Sequence, residues 1–251
     1  MSTDGTLRTF ALNLRSGGAP RVGALAAALA AHDPDLVVLG EAHPTGHAQV
    51  VLDALRAVGL GHRLTAEGDT PRYPSAVAIA SRTALEGARQ PLPAGPNRQR
   101  LLEARVGDVL VGGAYFPLKR PKVAFWREEF LPYAESRVGE PAVLLGDWNS
   151  GRPYLDEAGA TLYAAREFAE LSEMGWVDAW RSTHPDAREF TWFSAPPHRN
   201  GFRLDHAFLS PSLAPRLLGA RYDHATREGG ATDHSALVVD LRMDAQAQGP
   251  R

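Results

Sequence analysis

Two short apolar runs, Asp35–Gly40 (DLVVLG) and Ala142–Gly146 (AVLLG), each end in a glycine followed at once by an acid, Glu41 or Asp147. Runs of this length with no polar face are too short for surface helices and read as strands covered on both faces. A chain built on such strands must put layers on both sides of a sheet. The acids then stand where the strands emerge into solvent.

Further strands are expected at Leu7–Asn13, Ser75–Ala80, Leu204–Leu209 and Ala236–Leu241, and a hairpin at Leu101–Val106 and Val109–Phe116 turning at Gly107-Asp108. Helical patterns fall at Arg21–His32, Gln49–Val58, Lys122–Ser136 and Thr161–Glu173. Pro91, Pro93 and Pro96 mark Leu85–Arg98 as a surface connection, and Gly151-Arg152-Pro153 as a loop. No repeat and no shift in composition divides the chain. One α/β domain over residues 1–251 is expected, with 243–251 as a frayed polar tail.

With 44% hydrophobic and 22% charged residues the chain can bury a sizeable core. It has no cysteine, which excludes disulfides, thiolate nucleophiles and cysteine-based zinc sites. A net charge of −2 argues against holding nucleic acid by bulk charge, although a local basic face remains compatible with it. Met1–Arg8 lacks the apolar core of a secretory signal, and the alanine-leucine run Ala24–Ala31 is too short to span a bilayer. A cytoplasmic protein without membrane contact or an obligate protein partner is expected.

Three clusters carry the chemistry, in the order Gly146-Asp147-Trp148-Asn149, Arg203-Leu204-Asp205-His206 and Thr232-Asp233-His234-Ser235. Hydrolysis of a phosphate ester needs a base for water, a donor to the phosphoryl oxygen, and a cation to absorb charge. Any one acid can simply terminate a strand. Asn13, Glu41, Asp147 and Asp205 adjoin four separate apolar runs, which points to a site built from strand ends. Other motifs fail. The histidines of Glu41-Ala42-His43-Pro44-Thr45-Gly46-His47 are broken by proline and glycine, Gly59-Leu60-Gly61 lacks a third glycine, and no nucleophile elbow or phosphate loop is present.

From Leu7 to Leu241 the sequence resembles the endonuclease/exonuclease/phosphatase superfamily, and within it the exonuclease III and abasic-site endonuclease branch. The resemblance is strongest in the ordered pieces GWVDAWR, HPDAREFTWFS, NGFRLDHAFLS and ATDHSALVVDL. It implies two mixed β-sheets packed face to face with helices outside, a four-layer α/β sandwich. It also implies a Mg²⁺- or Mn²⁺-dependent phosphodiesterase acting on DNA at abasic sites or 3′ ends. A small phosphate ester, a lipid headgroup or RNA is the alternative substrate.

Carried over by position, the resemblance makes Glu41 the metal carboxylate, with Asn13 beside it and Asp233 as a further metal or charge-placing acid. Asp147 would activate water, and Asn149 would donate to a phosphate oxygen. Tyr115 would lie near the phosphate or leaving group, and Asp205 would hold His234 protonated. Trp192 and Phe202 would form an apolar wall or wedge, and Lys119, Arg120, Arg199 and Arg203 would meet phosphates. The chain departs from that branch at Arg15, at Ala42-His43 and at Leu118, so leaving-group and strand contacts are expected to differ.

Overall fold

The structure is a computed structural model that describes residues 5–42, 48–68 and 76–244. The chain runs β1 (Thr6–Asn13), α1 (Val22–His32), β2 (Leu36–Ala42), α2 (Ala48–Ala57), β3 (His62–Thr65), β4 (Ala76–Ser81), β5 (Glu86–Arg89), β6 (Leu101–Val106) and β7 (Val109–Tyr115). It continues through α3 (Pro121–Phe125), a π-helical turn (Trp126–Phe130), α4 (Leu131–Arg137), β8 (Ala142–Asp147), α5 (Ala165–Glu173), β9 (Val177–Asp178) and α6 (Ala179–Thr183). The last elements are β10 (Trp192–Phe193), β11 (Gly201–Phe202), β12 (Asp205–Leu209), β13 (Leu217–Asp223), α7 (Ala225–Glu228) and β14 (Ala236–Arg242).

Two mixed six-stranded sheets result, one in the order β13-β14-β1-β2-β4-β3 and the other β5-β6-β7-β8-β12-β9. Strand periodicity explains the layering, because alternate residues face opposite sides. Leu36 and Val38 of β2, Val143 and Leu145 of β8, and Leu237 and Val239 of β14 point inward and form one core between the sheets. Their neighbours Val37, Leu39 and Val238 face outward and pack with Leu25 and Leu29 of α1 and Leu55 of α2. Leu144 and Phe208 instead meet Phe130, Tyr133 and Phe168 beneath the helices on the other side. Apolar residues on both faces are thus required, and the expected four-layer sandwich is the fold observed.

Several expectations need correction. Leu85–Arg98 is not wholly a surface connection, because Glu86–Arg89 pairs with β6 as an edge strand. All four of its residues are exposed, so no apolar pattern marks it. The helix expected to begin at Thr161 begins at Ala165, since the buried Glu157 carboxylate accepts from the backbone N–H groups of Thr161 and Leu162 and from the Thr161 hydroxyl. Met243, expected in the frayed tail, is buried in the inter-sheet core and donates its N–H to Gly5 O at 2.8 Å. The expected boundary residue Ser75, the broken His43–His47 motif and the tail beyond Asp244 lie outside the described residues.

Candidate active site

Strand register brings the site together, through the parallel pairs β1–β2 and β7–β8 and the antiparallel pair β8–β12. β1 and β2 run parallel with Asn13 opposite Gly40, which sets Asn13 beside Glu41. In the other sheet Tyr115 of β7, Asp147 of β8 and Asp205 of β12 are register partners in a single row across three strands. The segment before β14 carries Thr232, Asp233 and His234, and the Thr232 hydroxyl fixes it to β1 by donating to Asn13 O at 2.7 Å.

Local sequence explains how Asp147 is presented. Gly146 has φ 139°, and a Cβ there would lie 2.0 Å from Ala114 O, so only glycine fits next to β7. Trp148 turns back into the core, where it stacks on Phe208 at 4.9 Å and on Phe116 at 5.4 Å. Asp147 and Asn149 on either side of it both line the cleft. Strand alternation alone does not set Asn149, which has left strand geometry with φ 49°. Its backbone N–H donates to Asp147 Oδ1 at 3.0 Å, and its amide donates to Phe116 O at 3.1 Å.

Three hydrogen bonds cross between the sheets at this edge. Asn13 Nδ2 donates to Asp147 Oδ2 at 2.8 Å, the Tyr115 hydroxyl donates to Glu41 Oε1 at 3.0 Å, and His234 Nδ1 lies 2.9 Å from Asp205 Oδ2. His234 Nε2 is 4.0 Å from Asp147 Oδ2. Burial pushes the Asp147 carboxyl up to about 7, with His234 opposing the rise. Burial disfavours the charged form of His234, but Asp205 and Asp147 outweigh it and raise its pKa to about 10. Burial also pushes the Tyr115 phenol up, which keeps it a hydrogen-bond donor.

Above this floor lies a cleft of about 530 Å³ whose walls include Leu118, Tyr163, Trp192 and Phe202. Trp192 and Phe202 pair across the ribbon β10–β11 with ring centroids 5.8 Å apart, and both are half-buried. Leu118 and Tyr163 are exposed. The polar floor can bind an ester's phosphate while the apolar walls take its organic part.

Glu41 and Asn13 offer only hard oxygen donors beside the cleft, a set that suits Mg²⁺ or Mn²⁺. Glu41 has φ 54°, a costly state for a non-glycine residue, and is held there as its Oε2 accepts the Ser16 N–H at 2.6 Å. Asp147, Asp205 and His234 also lie close enough to share an ion, their ligand atoms being within 4.8 Å of one another. The 2.9 Å contact between His234 and Asp205 is a hydrogen-bond distance, so that pair is already joined through a proton. Asp233 accepts from Trp192 Nε1 at 3.1 Å and lies outside that cluster.

Other expected contacts are distributed differently. Lys119 lines the cleft, whereas Arg120 and Arg199 are not among its walls. Arg203 was expected to meet phosphate and does not reach the surface. It is fully buried, with Nε 2.7 Å from Asp156 Oδ1 and an Nη atom 2.6 Å from Asp178 Oδ2. Lys122, at the expected start of the helical pattern Lys122–Ser136, is buried, lines the cleft and donates to Asn149 O. Burial lowers its pKa to about 8. Nothing in a lone lysine between Pro121 and Val123 announces this, and the same holds for the rim residues Leu162 and Tyr163.

Comparison with known proteins decides the family, since residues 10–234 match the Endonuclease/Exonuclease/phosphatase family. The chain belongs to that family. Hydrolysis of phosphate esters with a divalent metal is its chemistry. A curated relative is the DNA repair nuclease APEX1 of Danio rerio, 27% identical over 165 residues, 57% of this chain and 52% of the relative. The chain therefore spans about half the length of that relative.

Among solved structures, a 3′-5′ exonuclease (NExo) from Neisseria meningitidis is 26% identical, with a TM-score of 0.78 over 94% of this chain and 99% of that one. An AP endonuclease from Archaeoglobus fulgidus shares the fold at 22% identity, with a TM-score of 0.79 over 93% of this chain and 98% of that one. Among the described residues of this family member, no helix is long and apolar enough to cross a membrane.

Proposed function

We propose that this family member is a DNA nuclease of the exonuclease III and abasic-endonuclease type, using Mg²⁺ or Mn²⁺ and working in the cytoplasm as one catalytic domain over residues 1–251. The observation that carries the reading is the row Tyr115, Asp147 and Asp205 beneath a cleft walled by Trp192 and Phe202. Relatives support the choice of DNA. One is a DNA repair nuclease, and a Neisseria 3′ phosphatase, 24% identical and aligned over 94% of this chain and 99% of that one at a TM-score of 0.79, is bound to a product DNA hairpin.

In this reading Asp147 takes the proton of the attacking water, held in place by Asn13 and by the Asn149 backbone. His234, oriented by Asp205, faces the charge that develops on the phosphoryl oxygens. Asn149 supplies an amide donor once a phosphate oxygen replaces Phe116 O as its partner. Glu41 and Asn13 hold the divalent ion, which when bound supplies a Lewis acid to a phosphoryl oxygen. Tyr115 fixes the Glu41 carboxylate and stands near the leaving group. Asp233 places negative charge beside Trp192, and Lys119, with Arg120 and Arg199 beyond the cleft, meets flanking phosphates.

The test is cleavage of an abasic duplex, a 3′-recessed duplex, single-stranded RNA and a small chromogenic phosphodiester, with Mg²⁺ and with Mn²⁺. One of the two duplexes is expected to be the best substrate by kcat/KM. Turnover of the chromogenic ester without action on either duplex would replace DNA by a small phosphate ester.

A further inference from the structure

Arg15 stands two residues past Asn13 in a left-handed conformation, φ 49°. That backbone is held from three sides. Its N–H donates to Asn13 Oδ1 at 2.8 Å, while the Arg21 guanidinium donates to Leu14 O at 2.8 Å and to Arg15 O at 2.5 Å. Arg21 also donates to Ala231 O at 2.9 Å, so one side chain ties the segment carrying Arg15 to the segment carrying Asp233.

The Arg15 side chain itself lines the cleft and is 61% exposed. Its nearest acidic partner is Asp233, with Nε 3.9 Å from Oδ2, outside hydrogen-bond range. Among the described residues its terminal nitrogens receive no hydrogen-bond acceptor from the protein. A solvated surface arginine needs neither a costly backbone state nor a second arginine to hold it there. Arg15 adds a planar guanidinium to a cleft whose floor carries the carboxylates Glu41 and Asp147, whose Lys122 amine is committed to Asn149 O, and whose other cations, Lys119 and His234, are an ammonium and an imidazole.

We propose that Arg15 is a substrate-binding residue of this site, its guanidinium donating to two non-bridging oxygens of the phosphate seated over the floor, with Asp233 as its resting counter-ion. A planar fork of donors matches two phosphate oxygens, which an ammonium cannot do. This rests on the cleft being a phosphoester site.

The experiment compares wild type with Arg15→Ala and Arg15→Lys in two measurements, binding of a labelled duplex in EDTA against NaCl, and inhibition of cleavage in Mg²⁺ by inorganic phosphate. Arg15→Ala is expected to lower the slope of log K against log salt by about 1. It should also raise the phosphate inhibition constant and KM by roughly tenfold, with kcat changed less and an unaltered melting temperature. Arg15→Lys should recover the salt slope but not the phosphate affinity. Unchanged slope and inhibition constant in Arg15→Ala, with wild type cleaving DNA, would overturn the role of Arg15 alone. A wild type that hydrolyses no phosphate ester would overturn the site and Arg15 together.

Discussion

The side-chain amide of Asn13 donates to Asp147 across 2.8 Å and 134 residues of sequence, joining the ends of two strands that belong to different sheets. Both partners are buried, so removing the donor leaves a carboxylate oxygen poorly satisfied. Asn13→Ala is therefore expected to cost about 1–3 kcal/mol of stability. The same change should lower kcat by roughly a hundredfold as Asp147 loses its orientation. Thermal melting and steady-state kinetics check this, and an unaffected kcat would detach Asn13 from the chemistry.

In the proposed mechanism Asp205 acts through His234, whose Nδ1 lies 2.9 Å from Asp205 Oδ2. Asp205→Asn and His234→Ala should each reduce kcat by about two orders of magnitude, and the double variant should be hardly worse than His234→Ala, as for residues working as a unit. Fully multiplicative losses would show that the two act independently.

Glu41 offers an anionic oxygen beside the cleft, steadied by Tyr115 and Ser16. Glu41→Gln should raise the Mg²⁺ concentration for half-maximal rate by about tenfold or more, and wild type should be silent in EDTA. Full activity in excess chelator would remove the ion from the reaction.

Acid stability follows from the buried arginine. Burial opposes ionisation of Asp178 and Asp156, but Arg203 outweighs it and holds both carboxyls below the usual carboxylate range. Groups depressed in the folded state contribute stability that is present above the unfolded pKa of about 3.9 and is lost as pH falls through the folded values. The melting temperature should accordingly hold at mildly acidic pH and drop below about pH 4. Asp178→Asn should flatten that drop, and Arg203→Met should cost about 3–5 kcal/mol by leaving the buried Asp178 carboxylate without its arginine, while Asp156 keeps Arg181 at 2.6 Å. An acid limb unchanged in Asp178→Asn would assign it to other groups.

Much of the floor was legible because it stands at the ends of apolar runs. Asn13, Glu41 and Asp147 each follow such a run, and a run covered on both faces has few other readings. The Asp205–His234 pair came through resemblance, since 29 residues and a whole strand separate the partners. What escaped were buried cations and weak edges. Arg203 and Lys122 have the composition of surface residues, and only tertiary partners reveal that they are interior. β13 escaped because an irregularity between Leu217 and Gly219 breaks the alternation a strand should show.

The floor belongs to strand ends locked in register, whereas Leu118, Thr161 to Tyr163 and Arg15 on the walls belong to connections. Grafting wall segments between relatives should therefore re-address the enzyme to a different ester while its chemistry stays in place. Divergence in this family can proceed from the outside inward, with new substrates acquired before any strand has to shift.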